Sequence, residues 1–289
     1  MVADATEGLF DYINLDDYPL HEAGGQKWQR VVDGIKQELS ANGCSVLPEF
    51  VRGDALELLE KEGINVAPHA YRHLETVNAY NIDSEADLPA DHPAKITFEK
   101  GNAFVARDLI PNNYIINQLY SSSRFKSFIA ECFDMKEIYE LADPLAALCL
   151  NVLDPGRSHP WHFDKNELTV SMLTKAPGGG GVFEYCPNIR TAENENFDAV
   201  RSVIMDHGEE HISRLHLNPG DLQLFKGRFS LHRVTPVTGN TERHTAIFAY
   251  TPIPGVVGYP ERTRQLFGRV LPEHKAALQN AIKNDALLD

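Results

Sequence analysis

The run Ala147-Leu-Cys-Leu-Asn-Val-Leu153, followed by Asp154-Pro-Gly156, has the composition of a buried strand that ends in a tight turn. Further short strand candidates, separated by turn residues, continue along the chain. They are Trp161–Asp164, Leu168–Leu173, Gly181–Tyr185, Arg214–Leu217, Asp221–Phe225, Ser230–Val234 and His244–Thr251. Many short strands at close spacing are typical of a jelly roll, a sandwich or a barrel. The sequence therefore predicts a β core.

Helical patterns flank this core on both sides. Apolar residues recur at helical spacing from Trp28 to Leu39, before the stop signal Asn42-Gly43. Further helices are predicted over Asp54–Glu62 (ending at Gly63), Ser122–Phe133 and Glu273–Leu288, and a short strand over Cys44–Leu47. The prediction is one domain of mixed, mainly β class. It has a mostly helical flank over 1–144, a core over 145–255 and a helical tail over 256–289.

Composition limits the classes of function. The chain has 289 residues, of which 43% are hydrophobic, and 41 Asp+Glu against 27 Lys+Arg give a net charge of −14. This charge argues against nucleic acid or an anionic membrane as the partner, because both require basic surfaces. No leader-like start and no run of 18 apolar residues occur, and the four scattered cysteines form no Cys-x-x-Cys pair. We therefore expect a cytoplasmic protein that binds neither nucleic acid nor a membrane; no oligomeric state is indicated.

A His-x-Asp pair lies in the second strand candidate. Residues two apart on a strand share a face, so His162 and Asp164 are predicted to point into the core while Trp161 and Phe163 pack outward. His232 lies on another predicted strand. Two histidines and one carboxylate are the ligand set of non-haem Fe(II) oxygenases, and they leave positions open for a bidentate cosubstrate and O₂.

An arginine and a hydroxyl residue follow across a predicted hairpin. Arg243 and Thr245 are two apart at the start of the last strand candidate, Arg243 immediately before it, and are predicted to face the same interior. A guanidinium fork and a hydroxyl donor suit the distal carboxylate of a 2-oxoacid.

These motifs carry a family resemblance. Segment 145–251 resembles the Fe(II)/2-oxoglutarate-dependent dioxygenases, which have a double-stranded β-helix (jelly-roll, cupin-like) core. Three stretches, His159–Asp164, Gly180–Arg190 and Gly220–Pro236, are similar to the radical amino-acid halogenases and their hydroxylase relatives, which act on free lysine-type amino acids. The resemblance implies that His162, Asp164 and His232 bind Fe(II), that Arg243 and Thr245 bind 2-oxoglutarate, and that O₂ is consumed.

One position bears on the reaction. Halogenases of this type have a small residue where Asp164 stands, which leaves a coordination site for chloride. Here the carboxylate would fill that site, so the resemblance implies a hydroxylase.

The expected substrate is a small cationic amino acid, lysine or ornithine first. Candidate contacts are His159, Arg72, Asp143 and Trp161, with Glu184 as a second acidic candidate for the ammonium group. A same-fold oxygenase acting on another small metabolite or a carrier-bound compound is the main alternative. A metal-free cupin-like binding protein is the alternative outside enzymes, and a desaturase or an epimerase would use the same residues as a hydroxylase.

Overall fold

The computed structural model describes residues 7–83, 87–166, 168–276 and 287–288. Two facing antiparallel sheets form its centre, and three two-stranded ribbons surround them. The strands are β1 (Cys44–Leu47), β2 (Glu75–Asn78), β3 (Thr97–Lys100), β4 (Ala103–Val105), β5 (Tyr139–Glu140), β6 (Leu148–Leu153), β7 (His159–His162), β8 (Thr169–Lys175), β9 (Gly179–Gly180), β10 (Phe183–Cys186), β11 (Ser213–Leu215), β12 (Leu222–Phe225), β13 (Leu231–Val234), β14 (Val237–Thr238), β15 (Arg243–Phe248) and β16 (Tyr250–Thr251).

Helices cover the outside of the sheets. They are α1 (Glu7–Phe10), α2 (Gln26–Asn42), α3 (Leu56–Val66), α4 (Ile115–Ser121), α5 (Ser123–Cys132), α6 (Phe197–Ile204), α7 (Pro260–Phe267) and α8 (Pro272–Ala276). No helix of the described residues is long and apolar enough to cross a membrane.

The sheet order is that of a jelly roll. The larger sheet runs β1-β12-β8-β15-β6-β4 and the smaller sheet β11-β10-β13-β7. Strands β6, β7, β8 and β10 alternate between the two sheets, and so do β11, β12, β13 and β15, as in a double-stranded β-helix. The predicted fold class is confirmed. The N-terminal flank contributes strands as well as helices. β1 pairs with β12 and β4 pairs with β6, so these two strands extend the larger sheet at both edges.

Alternation along the strands separates an outer from an inner face of the larger sheet. On β6, Leu148, Leu150 and Val152 are buried in a core cluster that they share with Trp28 and Ile35 of α2. The intervening residues of β6 and β15 therefore face the smaller sheet. Strands β6 and β15 thus direct polar side chains into the space between the two sheets, although both strands are otherwise mainly apolar.

The predicted helices form, with differences at their ends. The first ends at Asn42, and Gly43 adopts a left-handed conformation (φ 66°) from which its N–H donates to the carbonyl of Leu39. The predicted end at Gly63 is wrong, because α3 continues through it to Val66. A Cβ at Gly63 would lie 3.2 Å from His244 Nδ1, so this glycine allows close helix–sheet packing.

Two further helix predictions differ at their starts or ends. Ser122 is the N-cap of α5, and its hydroxyl accepts a hydrogen bond from the N–H of Phe125. The predicted C-terminal helix begins at Pro272 rather than Glu273, and residues 277–286 fall outside the described residues. The predicted end at Leu288 is wrong, because Leu287 and Leu288 are not helical.

Candidate metal centre

Two neighbouring strands of the smaller sheet bring the predicted histidines together. β13 pairs with β7, and His232 lies directly opposite His162. Their ring centroids are 4.0 Å apart. Asp164 Oδ1 lies 3.8 Å from His162 Nε2 and 3.6 Å from His232 Nε2. One ligand atom from each of the three residues can therefore contact a single metal ion.

Backbone carbonyls set the orientation of both rings. His162 Nδ1 lies 2.8 Å from the carbonyl oxygen of Pro160, and His232 Nδ1 lies 3.0 Å from that of Ser230. A carbonyl can only accept, so each Nδ1 carries the proton and each Nε2 keeps its lone pair. Burial, followed by repulsion from His232, lowers the pKa of His162 well below its usual value. The neutral ring that a metal requires is therefore the favoured form.

The strand predicted over Trp161–Asp164 is wrong at its end, because β7 stops at His162. Asp164 lies two residues beyond it and is fixed by its own contacts. Its N–H donates to the carbonyl of Gly227 at 3.1 Å, and its Oδ2 accepts from the Thr169 hydroxyl at 2.6 Å. Gly227 has no side chain to displace the carboxyl group, since a Cβ there would lie 2.7 Å from Asp164 Cγ. Oδ1 is thus left to face the two histidines.

His159 joins the site through a β-bulge. Strand alternation alone would point residues 159 and 162 to opposite faces, but the register with β13 shifts between His232 and Val234. The His159 ring consequently stacks on His162, with centroids 3.8 Å apart and planes 22° apart. Burial, followed by repulsion from His162, lowers the pKa of His159 well below its usual value. His159 is therefore neutral beside the candidate metal ligand.

Arg243 and Thr245 face the same space from the larger sheet. Arg243 is only 4% exposed, and its Nη1 donates to the Thr245 hydroxyl. Burial lowers the pKa of Arg243 to about 10, and none of the described carboxylates pairs with it. Asn151, opposite Thr245 on β6, has a buried Oδ1 without a hydrogen-bond partner. A buried, unpaired guanidinium beside free polar atoms fits a carboxylate-bearing cosubstrate.

Three of the predicted substrate contacts are engaged elsewhere. The Arg72 guanidinium donates to Asp154 at 3.0 Å and to Glu242 at 3.4 Å. Trp161 faces away from His162, as strand alternation requires, and the Arg233 guanidinium lies 4.5 Å from its ring centroid.

Asp143 acts as a structural anchor. It accepts from the N–H groups of Leu145, Ala146 and Gly258, and His274 Nε2 lies 3.1 Å from its Oδ1. These bonds occupy both carboxylate oxygens. The second acidic candidate, Glu184, is paired with Arg214 and Arg233. Neither acid is therefore available to an ammonium group.

Several residues of the site were not predicted. Thr169 supports Asp164 with a hydrogen bond from its hydroxyl, and Gly227 does so by leaving space for the carboxyl group. A single threonine or glycine in a sequence does not indicate such a role. Asn151 did carry a signal, because it is a polar residue inside an apolar strand run.

The jelly roll and the His–Asp–His ligand set define an Fe(II)/2-oxoglutarate-dependent dioxygenase. A family model described as Halogenase D matches residues 28–253, which is most of the chain. The chain belongs to this family. No curated protein matches the sequence.

Solved structures share the fold at low sequence identity. AviO1 from Streptomyces viridochromogenes Tue57 is 13% identical with a TM-score of 0.52, covering 78% of this chain and 96% of its own. The non-heme alpha ketoglutarate dependent carbocyclase SnoK from nogalamycin biosynthesis is 13% identical with a TM-score of 0.51, covering 75% and 82%. The epimerase SnoN from the same biosynthesis is 11% identical with a TM-score of 0.50, covering 77% and 83%.

Proposed function

We propose that this dioxygenase hydroxylates an aliphatic C–H bond of a small free amino acid, with lysine or ornithine as the first candidates. The balanced reaction is R–H + 2-oxoglutarate + O₂ → R–OH + succinate + CO₂. Iron bound at this site supplies the oxidising chemistry, and the protein supplies orientation. The main alternative substrate is another small metabolite or a carrier-bound compound.

The observation that carries the choice of hydroxylation is Asp164. The Halogenase D family takes its description from halogenation, which in the related amino-acid enzymes requires an open coordination position for halide. In this chain, Asp164 would fill that position; the Thr169 hydroxyl and the space left by Gly227 hold its carboxylate in place. A halide would have to displace a hydrogen-bonded charged ligand.

The remaining residues take the following roles in the proposal. His162, Asp164 and His232 hold the iron. Arg243 and Thr245 bind the far carboxylate of 2-oxoglutarate, because a buried guanidinium without an acidic partner requires an anion. His159 contacts the substrate from its position against His162.

An anaerobic substrate screen tests the proposal. Protein loaded with Fe(II) and 2-oxoglutarate is mixed with lysine, ornithine, arginine, and neutral and acidic amino acids, and O₂ is then admitted. We expect a cationic amino acid to stimulate succinate formation and to give a product heavier by one oxygen atom. If only a neutral, acidic or carrier-bound compound does so, the substrate assignment is wrong and the oxygenase assignment stands.

A chloride experiment tests the outcome of the reaction. We expect only hydroxylated product from the wild-type protein at high chloride, and reduced hydroxylation from Asp164→Gly, because its halide position is open. Chlorinated product from the unmutated protein would contradict the role given to Asp164.

A further inference from the structure

A buried ion pair lies next to the strand that carries the metal ligands. Glu75 and Lys100 are cross-strand partners on β2 and β3, with Nζ 2.8 Å from Oε1. Their side chains are 13% and 4% exposed, and β3 contacts β7. Glu75 Oε2 has no hydrogen-bond donor among the described residues. One acidic oxygen therefore stays free beside the strand of His159 and His162.

A second cation reaches this region from α7. The helix packs on β4, where the Phe267 and Phe104 rings meet edge to face with centroids 6.4 Å apart. Arg262, on the first turn of α7, is partly buried, and its only hydrogen bond to the described residues is to Gln265 at 3.4 Å. No described carboxylate forms an ion pair with it. Its guanidinium is therefore available to a ligand.

The charges of these three residues influence one another and the metal centre. Burial, followed by repulsion from Arg262, lowers the pKa of Lys100 to about 8. Burial lowers the pKa of Arg262, while the charges of Glu75 and Asp164 act in the opposite direction. Contacts link the same elements: Lys100 Nζ lies 5.9 Å from the centroid of the Phe104 ring, and this ring packs against Phe267 of α7. Two cations and one anion thus lie together near the predicted iron.

Asp143 and His274 fix the position of Arg262. Asp143 Oδ2 accepts from the N–H of Gly258, just before α7, and Oδ1 contacts His274 on α8, the helix that follows α7. Both side chains are fully shielded from solvent. The helix is therefore held at both ends by one carboxylate, and Asp143 is a positioning residue for Arg262.

We infer that Glu75, Lys100 and Arg262 form the binding site for the zwitterionic headgroup of an α-amino acid. Arg262 and Lys100 bind the α-carboxylate, and Glu75 Oε2 accepts a hydrogen bond from the α-ammonium. The inference rests on the proposed function, and it assigns recognition to the headgroup rather than to the side chain. A partly buried guanidinium without an ion-pair partner and a partly buried carboxylate with one oxygen free of donors match these two groups in charge.

Analogues that lack one headgroup charge test the assignment. The probes are lysine, lysinamide (no α-carboxylate), 6-aminohexanoate (no α-ammonium) and cadaverine (neither), with the equivalent ornithine set. Their binding to anaerobic protein loaded with Fe(II) and 2-oxoglutarate is measured by calorimetry, and succinate formation is measured after O₂ is admitted. We expect the wild-type protein to bind each modified analogue at least about 30-fold more weakly than its parent.

Variants connect each analogue to a residue. Arg262→Gln should weaken binding of the parent amino acid about 100-fold and abolish its preference over the amide. Glu75→Gln should abolish the preference over 6-aminohexanoate. The control is Arg264→Gln, an exposed arginine on the same helix, which should leave all affinities unchanged. The affinity for 2-oxoglutarate should stay within two-fold in every variant.

The outcomes separate two kinds of failure. If the parent amino acid is hydroxylated but Arg262→Gln and Glu75→Gln keep both preferences, the headgroup assignment is overturned and the proposed function stands. If no amino acid is bound or hydroxylated while another compound drives succinate formation, the proposed substrate class fails, and the headgroup assignment fails with it.

Discussion

Replacing Gly227 by alanine should disable the metal centre without touching a metal ligand. The added Cβ would lie 2.7 Å from Asp164 Cγ and 2.9 Å from its Cβ. Non-bonded carbon atoms are in favourable contact at about 3.5 Å or more, so the carboxyl group has to move by about 1 Å. The two backbones are tied together at this point, because the N–H of Asp164 donates to the carbonyl of residue 227 itself.

The expected magnitude follows from what this movement breaks. Oδ2 would lose its 2.6 Å hydrogen bond from Thr169, and Oδ1 would move from its position 3.6–3.8 Å from the two Nε2 atoms. Loss of an orienting partner alone costs about 10–100-fold in metal affinity. Because the ligand itself is also displaced, we expect the Fe(II) dissociation constant to rise by roughly 100-fold or more.

Anaerobic Fe(II) titration measures this directly, with the visible absorption of the Fe(II)–2-oxoglutarate chelate as a second readout. Gly34→Ala is the matched control, because Gly34 is exposed on α2 and nothing lies within 4 Å of its missing Cβ. This control should bind iron normally and gain about 0.5–1 kcal/mol of stability. Thermal melts of both variants separate a local effect from unfolding.

A double-mutant cycle supplies the refutation. In an Asp164→Gly background no carboxyl group remains to be displaced, so adding Gly227→Ala should cost little further iron affinity. The reasoning fails if Gly227→Ala binds Fe(II) as tightly as the wild-type protein. It also fails if the alanine lowers affinity equally in both backgrounds.

Two other substitutions have effects of predictable direction. Arg243→Met removes a buried guanidinium, and losing such a charged contact costs on the order of 2–5 kcal/mol. Calorimetry should therefore show 2-oxoglutarate binding weakened at least about 30-fold. Unchanged affinity would exclude Arg243 from this role. Burial raises the pKa of Glu62 from 4.5 to about 7, although the N–H of Ile115 donates to its carboxylate. The folded state therefore holds the proton more tightly, and this contribution to stability is full below about pH 4.5 and is lost as pH rises through about 7. The Glu62→Gln side chain stays neutral and keeps an acceptor for the N–H of Ile115. Its free energy of unfolding, measured with denaturant, should exceed that of the wild-type protein by an amount that grows between pH 5 and pH 7 to about 3 kcal/mol and then levels off. A pH-independent difference would contradict this.

The fold was predictable because its strands and turns have local sequence signals. β6 is a continuous apolar run apart from Asn151, and the turns between strands are marked by glycine and proline. β4 was not predicted, since its three residues are too few to show a period. The same brevity hid the β2–β3 hairpin, which carries Glu75 and Lys100.

Convergence of His162, Asp164 and His232 was expected from the family resemblance; strand alternation does not place Asp164, which lies beyond the end of β7. The outer contacts were not predictable. Whether Arg72 or Asp143 is free depends on residues far away in sequence, such as Glu242 and His274. Residue type alone does not show which charges neutralise one another. His159 was placed by a bulge, a change of register that depends on the partner strand.

The residues of the site come from different parts of the fold, and this predicts which substitutions change substrate specificity. The iron ligands lie in the smaller sheet and Arg243 in the larger one, so the two core sheets supply the groups assigned to the reaction itself. The groups assigned to the substrate headgroup come from the N-terminal hairpin and from α7, both outside those sheets. Substitutions in the flanks should therefore change substrate affinity while Fe(II) and 2-oxoglutarate binding persist. Substitutions at Gly227 or Arg243 should do the reverse, losing metal or cosubstrate before the preference among amino-acid analogues is altered.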